Sequence, residues 1–248
     1  MKVVFHEDFF QVYTTDPASS AGRMESIVAV IESRVEFVQA QPATRKDIEA
    51  AHTKTHIDSV RQSGLYDIAA LAAGGAVQAA SLGLTEPAFG LIRPPGHHAS
   101  ADSSWGFCFF NNMAVALQVL KNKGQIKTAY VLDIDLHYGD GTVNILESKN
   151  YVTIHNVQAS DRQLFLAEIE HELDGCQVDL IGISAGFDNH RDDWGGLLRT
   201  EDYFKIGKLV QAAANRSGGG CFGILEGGYN HQVLGQNVMA LIEGLSDD

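Results

Sequence analysis

The sequence is poor in the residues that staple small secreted or metal-ribbon folds. Its three cysteines, Cys108, Cys176 and Cys221, are an odd number without a Cys-x-x-Cys pair. Neither a disulfide framework nor a zinc finger is indicated, and a reducing cytoplasm fits best. Cations are scarce too: 18 Lys and Arg stand against 31 Asp and Glu, a formal charge of −13. No basic run is interleaved with aromatics, which argues against a nucleic-acid partner, because phosphate binding draws on clustered cations. Long apolar runs are missing as well. The opening Met1-Lys-Val-Val-Phe-His-Glu-Asp8 has too short an apolar run for a signal peptide. The most apolar stretch, Ile68 to Leu84, contains Gln78 and Ser81. It falls short of the roughly 20 residues that span a bilayer and reads as a buried helix, so no membrane partner is expected.

What remains is ordinary globular composition. With 248 residues, 45% hydrophobic and 20% charged, the chain is expected to form one domain over residues 1–248. The acidic surface reads as a solvating one rather than as a trap for a cationic substrate. Candidate strands are Val3 to His6, Phe89 to Arg93, Thr128 to Asp135, Tyr151 to His155, Val178 to Ser184 and Cys221 to Leu225. Helical patterns lie between them. Gly22 to Val38 carries Ile27, Val30, Ile31, Val35 and Val38, Asn111 or Asn112 can cap Met113 to Lys121, and Ser160 with Gln163 resembles a capping box before Leu164 to Leu173. Another helix opens at Thr200 and stops at Gly218. Alternation of this kind predicts an α/β fold with a mainly parallel central sheet flanked by helices, and ligands bind beyond the carboxyl ends of such strands.

Four strand ends carry the chemistry. Phe89-Gly-Leu-Ile-Arg-Pro-Pro-Gly-His-His-Ala99 delivers His97 and His98, and Ala129-Tyr-Val-Leu-Asp-Ile-Asp-Leu-His-Tyr-Gly-Asp-Gly141 places Asp133, Asp135 and His137 on a period of two, followed by Asp140. Val178 to Asp188 ends an apolar strand in a carboxylate, and Phe222 to Tyr229 ends one in a Gly-Gly turn and a tyrosine. Singly, each has a structural explanation; four together make that explanation weak. Asp135, His137 and Asp188 would form an open nitrogen and oxygen site for a divalent metal, with room for water. Two carboxylates, Asp133 and Asp140, and two imidazoles, His97 and His98, are then left, a ratio that suits carboxylates orienting histidines.

Other patterns compete. Gly182-Ile-Ser-Ala-Gly186 matches a nucleophile elbow centred on Ser184, with His231 downstream, but a polar loop follows where a helix should. Gly218-Gly-Gly-Cys-Phe-Gly223 matches a phosphate loop but precedes its strand. His52 and His56 have zinc-pair spacing without the intervening Glu, and both read as structural, as does Cys108.

The segments Arg93-Pro-Pro-Gly-His-His-Ala99, Trp105-Gly-Phe-Cys-Phe-Phe-Asn-Asn112, Asp133-Ile-Asp-Leu-His-Tyr-Gly-Asp-Gly141, Ser184-Ala-Gly-Phe-Asp188 and Leu225-Glu-Gly-Gly-Tyr-Asn230 closely resemble, in order, motifs of the zinc-dependent histone deacetylase and acetylpolyamine amidohydrolase family. The chain is similar to a compact prokaryotic-type member. The resemblance implies an arginase/deacetylase-like three-layer fold and one Zn2+ on Asp135, His137 and Asp188, with Fe2+ as the other candidate. It implies His97 paired with Asp133, His98 as general base and acid paired with Asp140, and Tyr229 polarising the substrate carbonyl. Phe107 resembles a wall of the acyl-lysine channel, with Gly106 and Gly228 as further substrate-binding positions. K+ is a candidate structural ion near the Asp133 to His137 strand, with Thr153 a candidate contributor.

The implied activity is hydrolysis of an acylated amine, either acetyl-lysine or an acetylpolyamine-like substrate. A serine hydrolase on Ser184 and a non-catalytic acyl-amine binding module are the alternatives. Three departures concern the substrate. Only 22 residues, Asn156 to Gln177, precede the Val178 strand, so entrance loops are expected to be trimmed. The family's first-loop signature is reduced to Asp16-Pro-Ala-Ser-Ser-Ala-Gly-Arg23. Gly195 stands where relatives carry Leu or a Glu gatekeeper, so neither specificity wall is evident.

Overall fold

The computed structural model describes residues 1–246. The chain opens with β1 (Lys2–Phe5), α1 (Arg23–Ile31) and β2 (Glu36–Gln39), then the helices α2 (Arg45–Ile48), α3 (Lys54–Gln62) and α4 (Tyr66–Leu82). Next come β3 (Ala88–Gly90), α5 (Asn112–Asn122), β4 (Ala129–Asp133), α6 (Asp140–Leu146), β5 (Val152–Asn156) and α7 (Arg162–Asp174). β6 (Leu180–Ala185), α8 (Thr200–Ser217), β7 (Gly220–Leu225) and α9 (His231–Ser246) follow.

All strand pairings are parallel, in a seven-stranded sheet of order β2-β1-β3-β7-β6-β4-β5. The central strands β3, β4 and β6 are buried along their whole length, as parallel strands covered on both faces must be. On one layer α4 packs against β1, β3, β7 and α5, while α8 packs against β6 and β7 and carries α9 and, through it, α1. The Ala-rich stretch expected to be a buried helix is α4, whose Ala72, Ala73, Ala76, Ala79 and Ala80 have no exposed surface. Among the described residues no helix is long and apolar enough to cross a membrane.

Four expectations need correction. The helix expected from Gly22 to Val38 ends at Ile31, and Val38 belongs to β2. Among the described residues that edge strand pairs only with β1, and it is mostly exposed, so it has no buried face to imprint an alternating pattern. α7 is capped by Asp161, which accepts from the Gln163 and Leu164 N–H groups, and not by Ser160. β3 ends at Gly90, short of Arg93. β4 ends at Asp133, so Asp135 and His137 lie in the loop beyond it rather than on one strand face with Asp133. Asn111 is the cap of α5, through its side chain and the Ala114 N–H.

The sheet order explains why the four marked strand ends meet. β3, β7, β6 and β4 are consecutive neighbours running in one direction. Their carboxyl ends therefore fall on one sheet edge at steps of roughly 4.8 Å.

Candidate active site

Asp135, His137 and Asp188 come together, offering ligand atoms that all lie within 4.8 Å of one another. The His137 Nδ1 is 3.2 Å from Asp135 Oδ1 and 3.3 Å from Asp188 Oδ2. The other oxygens are tied to backbone: Leu136 N–H donates to Asp188 Oδ1 at 3.1 Å and Gly227 N–H to Asp135 Oδ2 at 2.9 Å. Asp188 Oδ2 is buried without a well-formed hydrogen bond. A Cβ on Gly227 would stand 2.6 Å from Asp135 Oδ2 and from Asp188 Oδ2, so only glycine lets the β7 turn close over the carboxylates.

The electrostatics of the cluster call for a cation. Burial, then the neighbouring Asp135 charge, pushes the Asp188 carboxyl up to about 6. Asp135 is held below its ordinary value although burial opposes it, chiefly by the charge of His97 and hydrogen bonds from His137 and Gly227. The bonds to Asp135 and Asp188 raise His137 to about 10. The two buried carboxylates concentrate negative potential beside the His137 imidazole, and oxygen and nitrogen donors of this kind fit a divalent ion such as zinc.

Beside the cluster stand two His–Asp pairs. His97 Nδ1 meets Asp133 Oδ2 at 3.1 Å, with both side chains buried. Burial alone would lower this imidazole, but Asp135 and Asp133 outweigh it and hold it well above its ordinary value. His98 Nδ1 meets Asp140 Oδ1 at 2.7 Å, and burial, reinforced by the charge of His97, lowers this imidazole to about 4. The two rings lie 4.0 Å apart.

A pocket opens over these groups, lined by His97, His98, Trp105, Phe107, Trp194 and Tyr229 among others. Gly106 and Phe107 are in its wall, and Phe107 meets the Tyr229 ring edge-on at 5.7 Å. Gly228 takes a φ of +116° and turns the chain so that Tyr229 follows. It is absent from the cavity lining, and its carbonyl accepts from Arg23 Nε at 2.8 Å. Burial raises the Tyr229 phenol above its ordinary value.

Several contributors escaped the sequence. Glu226, wholly buried, accepts from the Gly96 and His97 N–H groups at 2.6 and 3.2 Å and fixes the tandem-histidine turn against β7; a carboxylate ending an apolar strand was the available signal. Arg23, also wholly buried, donates to the Glu226 and Gly228 carbonyls, so the first residue of α1 braces the Tyr229 turn. Trp194, the neighbour of Gly195, lines the pocket, its ring stacked on Tyr229 at 4.1 Å, whereas Gly195 is in the lining of a neighbouring groove. Thr153 does not fit the role considered for it. It is exposed on β5 opposite Tyr130, and Asn156 reaches the Asp133 end of β4, accepting from Gly139 N–H at 2.7 Å.

The competing patterns separate. Ser184 is buried inside β6 with an unpartnered hydroxyl, β6 leads into a loop, and His231 bonds to Ser20 at 3.2 Å. His52 and His56 bond to backbone, at the Ser100 and Phe109 carbonyls.

The histone deacetylase domain family model matches residues 60–172 and 158–245. A probable deacetylase of Methanothermobacter thermautotrophicus is 28% identical over 305 residues, covering 99% of this chain and 91% of that protein. A histone deacetylase-like amidohydrolase of Pseudomonas aeruginosa is 27% identical over 288 residues, covering 90% and 74%. The crystal structure of the HDA15 HD domain is similar with a TM-score of 0.86 at 25% identity, covering 98% of this chain and 88% of that one. The chain spans 91% of the length of the Methanothermobacter protein and 20% of that of histone deacetylase 6 of Caenorhabditis elegans. With its all-parallel sheet, its gathered strand ends and these matches, the chain belongs to the histone deacetylase domain family of deacetylase enzymes.

Proposed function

We propose that this chain, acting as one catalytic domain, hydrolyses the amide of an acylated primary amine with a zinc ion held by Asp135, His137 and Asp188. The carrying observation is that His137 of the carboxylate–imidazole cluster, His98 of the His98–Asp140 pair and Tyr229 line one pocket. Held by Asp135, His137 and Asp188, such an ion would supply Lewis acidity for the carbonyl and lower the pKa of water toward neutrality.

The chain's own groups handle protons and charge. With Nδ1 of His98 donating to Asp140, its Nε2 is left as an acceptor, and the lowered pKa of about 4 keeps the ring neutral at pH 7. Nε2 takes the proton of the attacking water and hands it to the departing amine. Tyr229, protonated because burial raises its pKa, donates to the oxyanion formed at the carbonyl. His97, buried against Asp133, has its imidazole pKa raised by the carboxylates of Asp135 and Asp133. Phe107, Trp194 and Trp105 give the amine arm an aromatic wall. No side chain needs to attack the substrate, which agrees with the burial of Ser184.

A panel of acyl-lysine peptides and small acetylated amines, offered to protein stripped by chelator and reloaded with zinc, tests the reading. Turnover of at least one class supports it. Hydrolysis of none removes it, and binding without turnover would make the chain a recognition module.

A further inference from the structure

The two His–Asp pairs are protected very differently. In the His97–Asp133 pair the side chains are 4% and 1% exposed, and Asp133 Oδ1 is also engaged, by the Asp135 N–H at 3.1 Å. Burial holds that pair in place. In the other pair His98 is 7% exposed but Asp140 is 44% exposed. A carboxylate that open to water can swing away from its imidazole, since solvent satisfies it equally well.

Trp105 occupies the place where that loss would occur. Its Nε1–H donates to Asp140 Oδ2 at 2.8 Å, leaving Oδ1 for His98 Nδ1. Its ring lies on the His98 imidazole, centroids 3.8 Å apart and planes at 31°. The next residue makes this geometry possible: Gly106 has a φ of +61°, and a Cβ there would meet His98 Cδ2 at 3.0 Å. Any side chain at 106 would be strained and crowded, so glycine lets the backbone double back and lay the indole over the ring. Trp105 is itself 54% exposed. A large aromatic left in water, yet committed by both its face and its N–H, is not there to fill the core.

We propose that Trp105 is a positioning residue, clamping Asp140 with its N–H and His98 with its face so that the half-open pair stays aligned for proton transfer. The catalytic part of this statement rests on the deacylase reading above. The clamp takes over, for the His98 pair, what burial does for the His97 pair. Trp105 also lines the cavity, and the test must separate the two roles.

On zinc-loaded protein, Trp105→Phe keeps a ring in the wall and removes the donor. It should lower kcat about tenfold, in line with the loss of a bond that orients an active-site group, and leave KM within about twofold. In an Asp140→Ala background the same change should cost less than about twofold, because the group through which it acts is gone. An equal loss in both backgrounds, a raised KM with unchanged kcat, or no loss in either overturns the proposal. A second readout needs no turnover. The chain has two tryptophans, so the Trp105 indole N–H can be followed beside that of Trp194. It should resist hydrogen exchange in the intact protein and lose that resistance in Asp140→Ala. If it exchanges freely in an active enzyme, the clamp is wrong and the deacylase reading stands. If it is protected in a protein that turns over no substrate, the clamp stands and the deacylase reading fails.

Discussion

The indole of Trp194 lies over the ring of Tyr229, centroids 4.1 Å apart and planes at 29°. The residue before it completes the link: Asp193 Oδ2 accepts from the Tyr229 and Asn230 N–H groups, each at 2.8 Å. The loop after β6 therefore sets where the phenol points. Tyr229→Phe should leave zinc bound and cut kcat by about 10²-fold, the scale of losing one oxyanion donor. Trp194→Ala should cost about 2- to 10-fold in kcat/KM, since a stacked aromatic pair contributes roughly 0.5–1.5 kcal/mol. Steady-state kinetics with metal content measured on each sample checks both; unchanged turnover in Tyr229→Phe removes the phenol from the mechanism.

Asp188→Asn should separate folding from metal binding. The carboxyl of Asp188 has its pKa raised by burial and by Asp135, so above its unfolded pKa the charge is costly in metal-free protein. Removing it should stabilise the metal-free form at pH 8 by about 1–3 kcal/mol, given roughly 1.4 kcal/mol per pKa unit. The same variant should lose the zinc-dependent gain, which for intact protein is about 2.7 kcal/mol at a hundredfold excess over Kd. Denaturant midpoints with and without zinc decide this, and a variant destabilised when metal-free contradicts the electrostatic reading.

His52 makes an acid-sensitive spot outside the cavity. Its Nδ1 donates to the Ser100 carbonyl, and its Nε2 accepts from the Asn111 N–H at 2.8 Å. Protonation would cancel that acceptor next to the cap of α5. Burial, then the proximity of His56, lowers its pKa from 6.5 to about 4. A histidine depressed in the folded state is protonated more readily when unfolded, so its contribution is present above about 6.5 and is lost as pH falls toward about 4, by roughly 3 kcal/mol in all. The denaturation midpoint should fall over that window, and His52→Gln should flatten the fall. A slope unchanged by the substitution assigns the effect elsewhere.

Ser184→Ala should leave kcat within about twofold and stability unchanged or slightly raised, because a buried hydroxyl without a partner is removed. A loss of activity of about 10²-fold or more would revive the nucleophile-elbow reading.

Much of the site was legible because its residues sit at the ends of apolar strands, where both pattern and polarity change abruptly. Asp135, His137 and Asp188 were readable as a candidate cation site from residue type alone, and the sheet order shows why they meet. β2 was hidden because an exposed edge strand carries no face pattern. Trp105 and Trp194 were hidden for another reason: an aromatic next to glycine signals neither helix nor strand, and what each ring covers depends on a backbone turn that spacing does not encode. Glu226 and Arg23 act through backbone groups distant in sequence, and only the folded chain brings them together.

The most direct test of the central claim is a zinc titration of chelator-stripped protein, following acyl-amine hydrolysis and bound metal together. Activity should be absent without metal, rise linearly, and saturate at about one zinc per chain, with Asp188→Asn showing neither binding nor turnover in the same range. Turnover that persists in chelator, or saturation that survives Asp188→Asn, would contradict it.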